Sequence, residues 1–381
     1  MLRFSENRKM SKSKIWLSSP HMGKDELMFV KDAFEQNWIA PIGPHLDAFE
    51  DKLSKLSSNR HVAALSSGTS AIHLSLVVLG VSKDDIILCS SFTFAASANP
   101  IIYQGATPVF VDSEEDTWNM CPNKLEDAIK DCIGKGKKPK AIILVHLYGM
   151  SSKMDEIMSV VKKYDIPLIE DAAEALGSTY NNQPLGTFGD FGIYSFNGNK
   201  IITTSGGGAL ISNNKKNIEK AKFLATQARD NAPHYEHSHI GYNYRMSNVL
   251  AAIGLGQLTV LPQRVEKRRE NFAYYKEQLS SHARIVFLKE AENTYSNRWI
   301  TTILTDSFET REKVRKALML ENIESRPLWK PMHLQPVYKN CQIFGGSVCS
   351  TLFSKGLCLP SASNLSNDDL DRVINVIKKH A

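Results

Sequence analysis

The stretch Ser195-Phe196-Asn197-Gly198-Asn199-Lys200-Ile201-Ile202-Thr203-Thr204-Ser205-Gly206-Gly207-Gly208 decides how this chain is read. It sets one lysine between two apolar runs, Phe188 to Phe196 and Ala209 to Ser212, that both read as strands. Hydroxyl residues and a glycine run surround the lysine. A lysine in a loop between strands is a solvated residue unless other parts of the chain give it a chemical partner.

Upstream, short apolar strands alternate with helices. Strands are predicted over 61–65, 86–89, 107–111, 141–146 and 167–170, and helices over 69–79, 95–103, 124–132 and 154–164. That alternation predicts an α/β fold with a mostly parallel sheet covered by helices. Two amphipathic helices, 25–36 and 45–56, precede it, joined by a loop stiffened by Pro41 and Pro44. Downstream of Lys200 the pattern is helical over 218–228, 247–260 and 263–279. The tail mixes a strand, 299–304, with helices 310–321 and 368–379, as in a smaller α+β domain. The expected division is a flexible extension (1–14), a large domain (15–260) and a small C-terminal domain (261–381).

The composition agrees. A chain of 381 residues is long enough for two domains, because a single core rarely grows past about 250–300 residues. With 42% hydrophobic and 23% charged residues it reads as globular. The net charge of +6 is spread along the chain, and the run Lys135 to Lys140 reads as a solvated loop, so no nucleic-acid partner is expected. Six dispersed cysteines form no C-x-x-C pair, which suits reduced thiols in a cytoplasmic protein and suggests no zinc site. No 18-residue apolar span suggests membrane insertion. The start of the chain, polar and basic, lacks the apolar core of a signal peptide.

Two further stretches offer Lys200 partners. Ser66-Ser67-Gly68-Thr69-Ser70-Ala71 lies where a strand ends and a helix begins. Such a helix start is either a plain N-cap or a phosphate site built from free N–H groups. Asp171, in Glu170-Asp171-Ala172-Ala173-Glu174, ends a buried strand, where ligands of open α/β sheets bind. It is either a structural acid or the partner of a protonated ring nitrogen. Phosphate loop, aspartate and lysine, in that order, are what pyridoxal 5′-phosphate (PLP) enzymes of the aspartate-aminotransferase fold (type I) need, with the lysine forming a Schiff base.

These motifs, together with Ser91-Phe92-Thr93-Phe94-Ala95-Ala96 and Gly241-Tyr242-Asn243-Tyr244-Arg245-Met246-Ser247, closely resemble the DegT/DnrJ/StrS sugar-nucleotide aminotransferase family over about residues 15 to 381. The resemblance implies that Lys200 carries the cofactor and Asp171 faces its ring nitrogen. It implies that Phe94 stacks on the ring and Glu174 sits near the ring hydroxyl. Gly68, Thr69 and Ser195 would bind the phosphate. Asn243 would reach the phosphate of the neighbouring subunit, giving a homodimer with shared active sites. Some relatives carry histidine in place of the lysine and remove a sugar hydroxyl; this chain keeps Lys200, as a transaminase does. L-glutamate is the family's usual donor and a nucleotide sugar its acceptor.

Arg326-Pro327-Leu328-Trp329-Lys330-Pro331-Met332-His333 sets basic and aromatic residues between prolines. It is either a rigid solvated loop or a grip on a nucleotide diphosphate. It resembles the same region of bacillosamine-type enzymes, which aminate C4 of UDP-4-keto-6-deoxy-N-acetylhexosamines. Arg326, Trp329, Lys330 and His333 are therefore candidate substrate residues, as is Arg229. The histidines of 234–239 follow Pro233 and precede Gly241, so they read as a loop near Arg229 rather than a metal-binding helix. The alternatives are a PLP-dependent dehydratase or acyltransferase, a nicotinamide enzyme and a non-catalytic ligand-binding paralogue. The nicotinamide reading lacks its G-x-G-x-x-G, and the paralogue would predict a lost lysine or aspartate.

Overall fold

A computed structural model describes residues 12–381. Two helices open it, α1 (Glu26–Glu35) and α2 (Pro44–Leu56). Strands and helices then alternate: β1 (His61–Leu65), α3 (Gly68–Val78), β2 (Ile86–Ser90), α4 (Asn99–Tyr103), β3 (Thr107–Val111), α5 (Pro122–Gly134), β4 (Ala141–Val145), α6 (Met154–Tyr164) and β5 (Leu168–Asp171). The short hairpin β6 (Thr179–Tyr180) and β7 (Gln183–Pro184) precedes β8 (Phe191–Ser195), β9 (Gly208–Ser212), α7 (Lys215–Ala225) and α8 (Asn248–Gln278). The chain ends with β10 (Val286–Phe287), β11 (Thr294–Tyr295), β12 (Thr301–Leu304), α9 (Phe308–Leu320), β13 (Arg326–Pro327), β14 (Ile343–Phe344), α10 (Ser347–Lys355), β15 (Gly356–Leu359) and α11 (Asn367–His380).

The large sheet has the order β1-β9-β8-β5-β4-β2-β3-β14. Its pairings are parallel except at β9, which runs against β8 and β1. The predicted α/β layer with a mostly parallel sheet is therefore the one observed. Since β1 and β8 both oppose β9, β1 points the same way as β8, β5, β4 and β2. Their carboxyl ends share one edge, where open α/β sheets bind ligands. A second, antiparallel sheet, β10-β12-β15-β13, carries α9 and α11 in the C-terminal part. Residues 1–11 of the expected extension lie outside the described residues. Ile15 already bridges to Ile323.

Several element boundaries differ from the sequence reading, each for a local reason. The helix expected over 95–103 is split into a 3₁₀ turn, Ala95–Ser97, and α4. Pro100 has no N–H to continue a helix and fits only its first turn. The strand expected from Phe188 starts at Phe191, because the N–H groups of Phe188 and Gly189 donate to the Glu170 carboxylate (2.6 Å each). The two helices expected at 247–260 and 263–279 are one helix, α8, with Pro262 inside it, so the 260/261 division falls within a continuous element. Packing of α1 and α2 against α8 offsets the roughly 3 kcal/mol that an interior proline costs. The strand expected from Trp299 starts at Thr301. Arg298 has φ 50°, and the Asn297 side chain accepts the Trp299 N–H at 2.9 Å, a turn that diverts Trp299.

The chain returns late to the large sheet through β14, which pairs in parallel with β3. Asp112, 2% exposed, holds this joint. Its carboxylate accepts N–H bonds from Gly346 (2.5 Å), Val348 (3.1 Å) and Cys349 (3.0 Å) at the start of α10. Burial pushes the carboxyl up, but the hydrogen bonds from Cys349, Gly346 and Ser113 outweigh it and hold it below its ordinary 3.8. The folded form thus binds the proton less tightly than the unfolded chain. Its contribution is complete above the ordinary value and is lost as pH falls through the lower folded one. Asp112→Ala should reduce the unfolding free energy at pH 7 by about 2–3 kcal/mol, since buried donors lose their acceptor. A urea midpoint equal to that of the natural protein would contradict this.

Candidate active site

A cavity of about 340 Å³ opens at the shared carboxyl edge. Gly68, Thr69, Phe94, Asp171, Glu174, Ser195, Lys200 and Trp329 all line it. Residues from Gly68 to Trp329 meet there because β1, β5 and β8 point the same way.

At one end α3 begins. Ser67 caps it by accepting the Ser70 N–H at 3.0 Å. The first-turn N–H groups of Gly68 and Thr69 have no acceptor inside the helix and carry the positive end of its dipole. A Cβ at Gly68 would come within 3.3 Å of the Ser195 Cβ. One at Gly208 would come within 2.4 Å of the Gly68 nitrogen. The end of the glycine run after Lys200 thus lets the backbone of the α3 loop sit close against β9.

Asp171 closes the floor and is 6% exposed. Ser97 donates to its Oδ2 at 2.6 Å, and the Ala173 N–H donates to Oδ1 at 3.1 Å. Thr93 in turn bonds Ser97 at 2.7 Å. The neighbouring Glu170 faces away, as alternate residues of a strand must. Fully buried, it binds His146 at 2.9 Å and the Gly186, Phe188 and Gly189 N–H groups. Glu170 holds the β7–β8 loop.

Lys200 lies at the opposite side. Its Nζ is 3.7 Å from Glu174 Oε1 and 4.2 Å from the centre of the Trp299 ring. Glu174 Oε2 accepts the Tyr148 N–H at 2.7 Å, and Oε1 accepts from Trp329 Nε1 at 3.2 Å. Tyr148 has φ 55°, an uncommon conformation for a non-glycine residue. Its hydroxyl accepts the Trp329 N–H at 2.9 Å, and the two rings stack. Burial pushes the Glu174 carboxyl above its ordinary value, with the Lys200 charge opposing.

Of the five candidate substrate residues, Trp329 alone lines this cavity. Arg229 is exposed and lies over the Tyr235 ring at 4.5 Å. Arg326 is exposed and pairs with Glu324 at 2.8 Å. Lys330 is half-buried beside Trp329. His333 bonds Ser91 at 2.7 Å and Ser350 at 3.3 Å, and burial pulls its pKa down against the pull of Asp112. Asn243 is exposed outside the cavity and accepts from Gln227 at 3.1 Å. In the 234–239 loop, His234 pairs with Glu236 and His237 with the Gln227 carbonyl, both at 2.9 Å.

The sequence reading missed Ser97, Tyr148 and Trp299. Ser97 left a trace, as one of several hydroxyl residues in the stretch that follows a strand end. Tyr148 and Trp299 left none, since both are delivered by turns with positive φ.

This set fits PLP. A side chain on Gly68 would crowd Ser195 beside the start of α3, which offers N–H donors for a phosphate. Asp171 offers a buried carboxylate to a ring nitrogen, and Lys200 offers an amine to an aldehyde. The sequence profile of the DegT/DnrJ/EryC1/StrS aminotransferase family matches residues 20–378. The chain is 52% identical to EpsN of Bacillus subtilis, named as a pyridoxal phosphate-dependent aminotransferase, over 96% of this chain and 95% of that one. It is 36% identical to GDP-perosamine synthase of Escherichia coli O157:H7, over 92% and 94% of the two chains. It is also 36% identical to the UDP-4-amino-4,6-dideoxy-N-acetyl-beta-L-altrosamine transaminase of Campylobacter jejuni, over 78% and 79%. The chain belongs to the DegT/DnrJ/EryC1/StrS family and is a pyridoxal phosphate-dependent sugar aminotransferase.

Proposed function

We propose that the chain moves an amino group from L-glutamate to C4 of a UDP-linked 4-keto-6-deoxy-N-acetylhexosamine, for a surface glycan or glycoprotein sugar. The observation that carries the reading is a lysine amine retained in a buried cavity beside Glu174 and across from Asp171. An amine at this position serves transamination, not hydroxyl removal. PLP, when bound, supplies an electron-poor ring that tolerates negative charge on the carbon bearing the transferred nitrogen.

The chain's residues do the rest. Gly68, Thr69 and Ser195 hold the phosphate, and Phe94 covers the ring. Asp171 faces the ring nitrogen and Glu174 the ring hydroxyl. Lys200 joins the cofactor and, once displaced, carries the proton from the α-carbon of glutamate. Trp329 forms the sugar side of the cavity, with Arg229, Arg326, Lys330 and His333 toward the nucleotide. In a homodimer, Asn243 reaches the partner's phosphate. The exposed apolar side chains of Leu27, Phe34 and Ile42 support such a dimer (61–64% exposed). The six cysteines are unpaired, which supports a cytoplasmic location. No helix among the described residues is long and apolar enough to cross a membrane.

The Campylobacter relative's name supports a UDP sugar aminated at C4, and the Escherichia relative's name supports a GDP sugar. The test is a panel of UDP- and GDP-linked 3-keto and 4-keto sugars incubated with glutamate, following 2-oxoglutarate and product mass. The UDP-4-keto-6-deoxy-N-acetylhexosamine should give the highest kcat/KM. Turnover confined to GDP sugars overturns the substrate. A product that loses oxygen without gaining nitrogen overturns transamination.

A further inference from the structure

Trp299 is 1% exposed and stands two residues before β12, far in sequence from the lysine it covers. Its indole Nε1 donates to the Asn199 carbonyl at 2.8 Å, and Asn199 directly precedes Lys200. Ser18 donates to the same carbonyl at 2.7 Å. Arg268, itself 1% exposed, closes the ring: one guanidinium nitrogen donates to Ser18 Oγ at 3.0 Å and another to the Trp299 carbonyl. Trp299 is thus fixed at its main chain and at its indole edge. That edge is tied to the peptide that carries the lysine. The ring face is then presented to Lys200 Nζ at 4.2 Å.

We propose that Trp299 is a positioning residue that holds the Lys200 amine toward the cavity whenever the lysine is not joined to the cofactor. This rests on the reading of Lys200 as the residue that joins it. A lysine side chain has four rotatable bonds and loses considerable rotamer freedom when it is fixed. The ring face attracts the ammonium, and Glu174 Oε1 at 3.7 Å defines its other side. The two contacts meet Nζ at the cavity wall. To react, the ammonium gives a proton to Glu174 or to water. The neutral nitrogen would then be the nucleophile for the aldehyde that PLP supplies, its two hydrogens leaving with the aldehyde oxygen as water. Trp299 takes no part in the bond changes. It shortens the search of the amine for the aldehyde carbon.

The test compares cofactor-free wild-type protein with Trp299→Leu and Trp299→Phe. The rate of covalent PLP capture is followed by absorbance, and affinity is measured separately for 4-deoxypyridoxine 5′-phosphate, which has the ring and phosphate but no aldehyde. In Trp299→Leu, capture should slow about tenfold, the scale of a desolvated cation–π contact, while affinity for the analogue stays within about twofold. Trp299→Phe keeps an aromatic face and should capture within about threefold of wild type. Capture by Trp299→Leu at the wild-type rate overturns the proposal. So does a parallel loss of analogue affinity, which makes Trp299 a packing residue only. If the leucine variant does not fold, Trp299→Met, which fills the volume flexibly, takes its place. Borohydride reduction and peptide mapping identify the captured lysine. A label elsewhere than Lys200 in wild type sinks the lysine assignment itself, whereas slow labelling at Lys200 in the variant bears on Trp299.

Discussion

Lys200→Ala is expected to abolish turnover, with kcat down by at least about 10⁴-fold, because in the proposed mechanism one side chain serves as covalent attachment and as acid–base group. The effect should come without collapse of the site. Gly68, Ser195 and Asp171 are held by α3, β8 and β5, none of which Lys200 supports. The variant should therefore still bind 4-deoxypyridoxine 5′-phosphate while failing to capture PLP covalently. It also leaves Glu174 buried without its cation. Lys200 opposes the upward push of burial on that carboxyl, so its removal drives Glu174 further above the ordinary 4.5. The folded variant then holds that proton more tightly than the unfolded chain. It is most stable below the ordinary value and loses stability as pH rises through the raised one. Thermal melts of the cofactor-free variant across acid to neutral pH read this slope. Full activity of Lys200→Ala in a single half-reaction without added amine would remove the lysine from the mechanism.

Much of this was legible because the large domain is built from regular strands and helices. Ala141 to Val145 is a continuous apolar run of strand length, as a strand buried on both faces of a parallel sheet shows, and it is buried along its whole length. The phosphate loop, the strand-end aspartate and the loop lysine are each tied to a strand terminus, so finding the strand finds the residue. What the sequence hid depends on chain reversals that periodicity does not encode. Trp299 reads as the first residue of a strand, yet the Asn297 turn and the positive φ of Arg298 swing it over Lys200. Tyr148 falls between a strand and a helix with no periodic signal, yet its backbone N–H anchors Glu174. Pro262 reads as a helix end, yet the helix continues because both halves are packed. The substrate cluster shows a different limit. Charges at Arg229 and Arg326 are visible in sequence, but only the fold shows that the first lies over Tyr235 and the second pairs with Glu324, both outside the cavity.

Asp171→Asn should lower kcat by about 10²–10³-fold, the range for removing one preorganised electrostatic group from a water-poor site. The substitution keeps shape and volume. The Ala173 N–H fixes which way the amide must turn, since it needs an oxygen acceptor at 3.1 Å. The amide nitrogen then faces Ser97, whose hydroxyl can rotate from donating to accepting. No buried polar group is left unpaired, so the fold should persist and the loss should lie in chemistry. What disappears, if Asp171 faces the ring nitrogen as proposed, is the negative charge beside it. An uncharged amide no longer favours the protonated ring, and removal of the α-proton slows. That step carries a signature: turnover with α-deuterated glutamate should show a larger isotope effect in the variant than in wild type, because proton removal becomes rate-limiting. The expected loss is smaller than for Lys200→Ala because the amine that moves the proton is still in place and only the sink for negative charge is weakened. A kcat within threefold of wild type, or an unchanged isotope effect, would mean that Asp171 does not face the ring nitrogen.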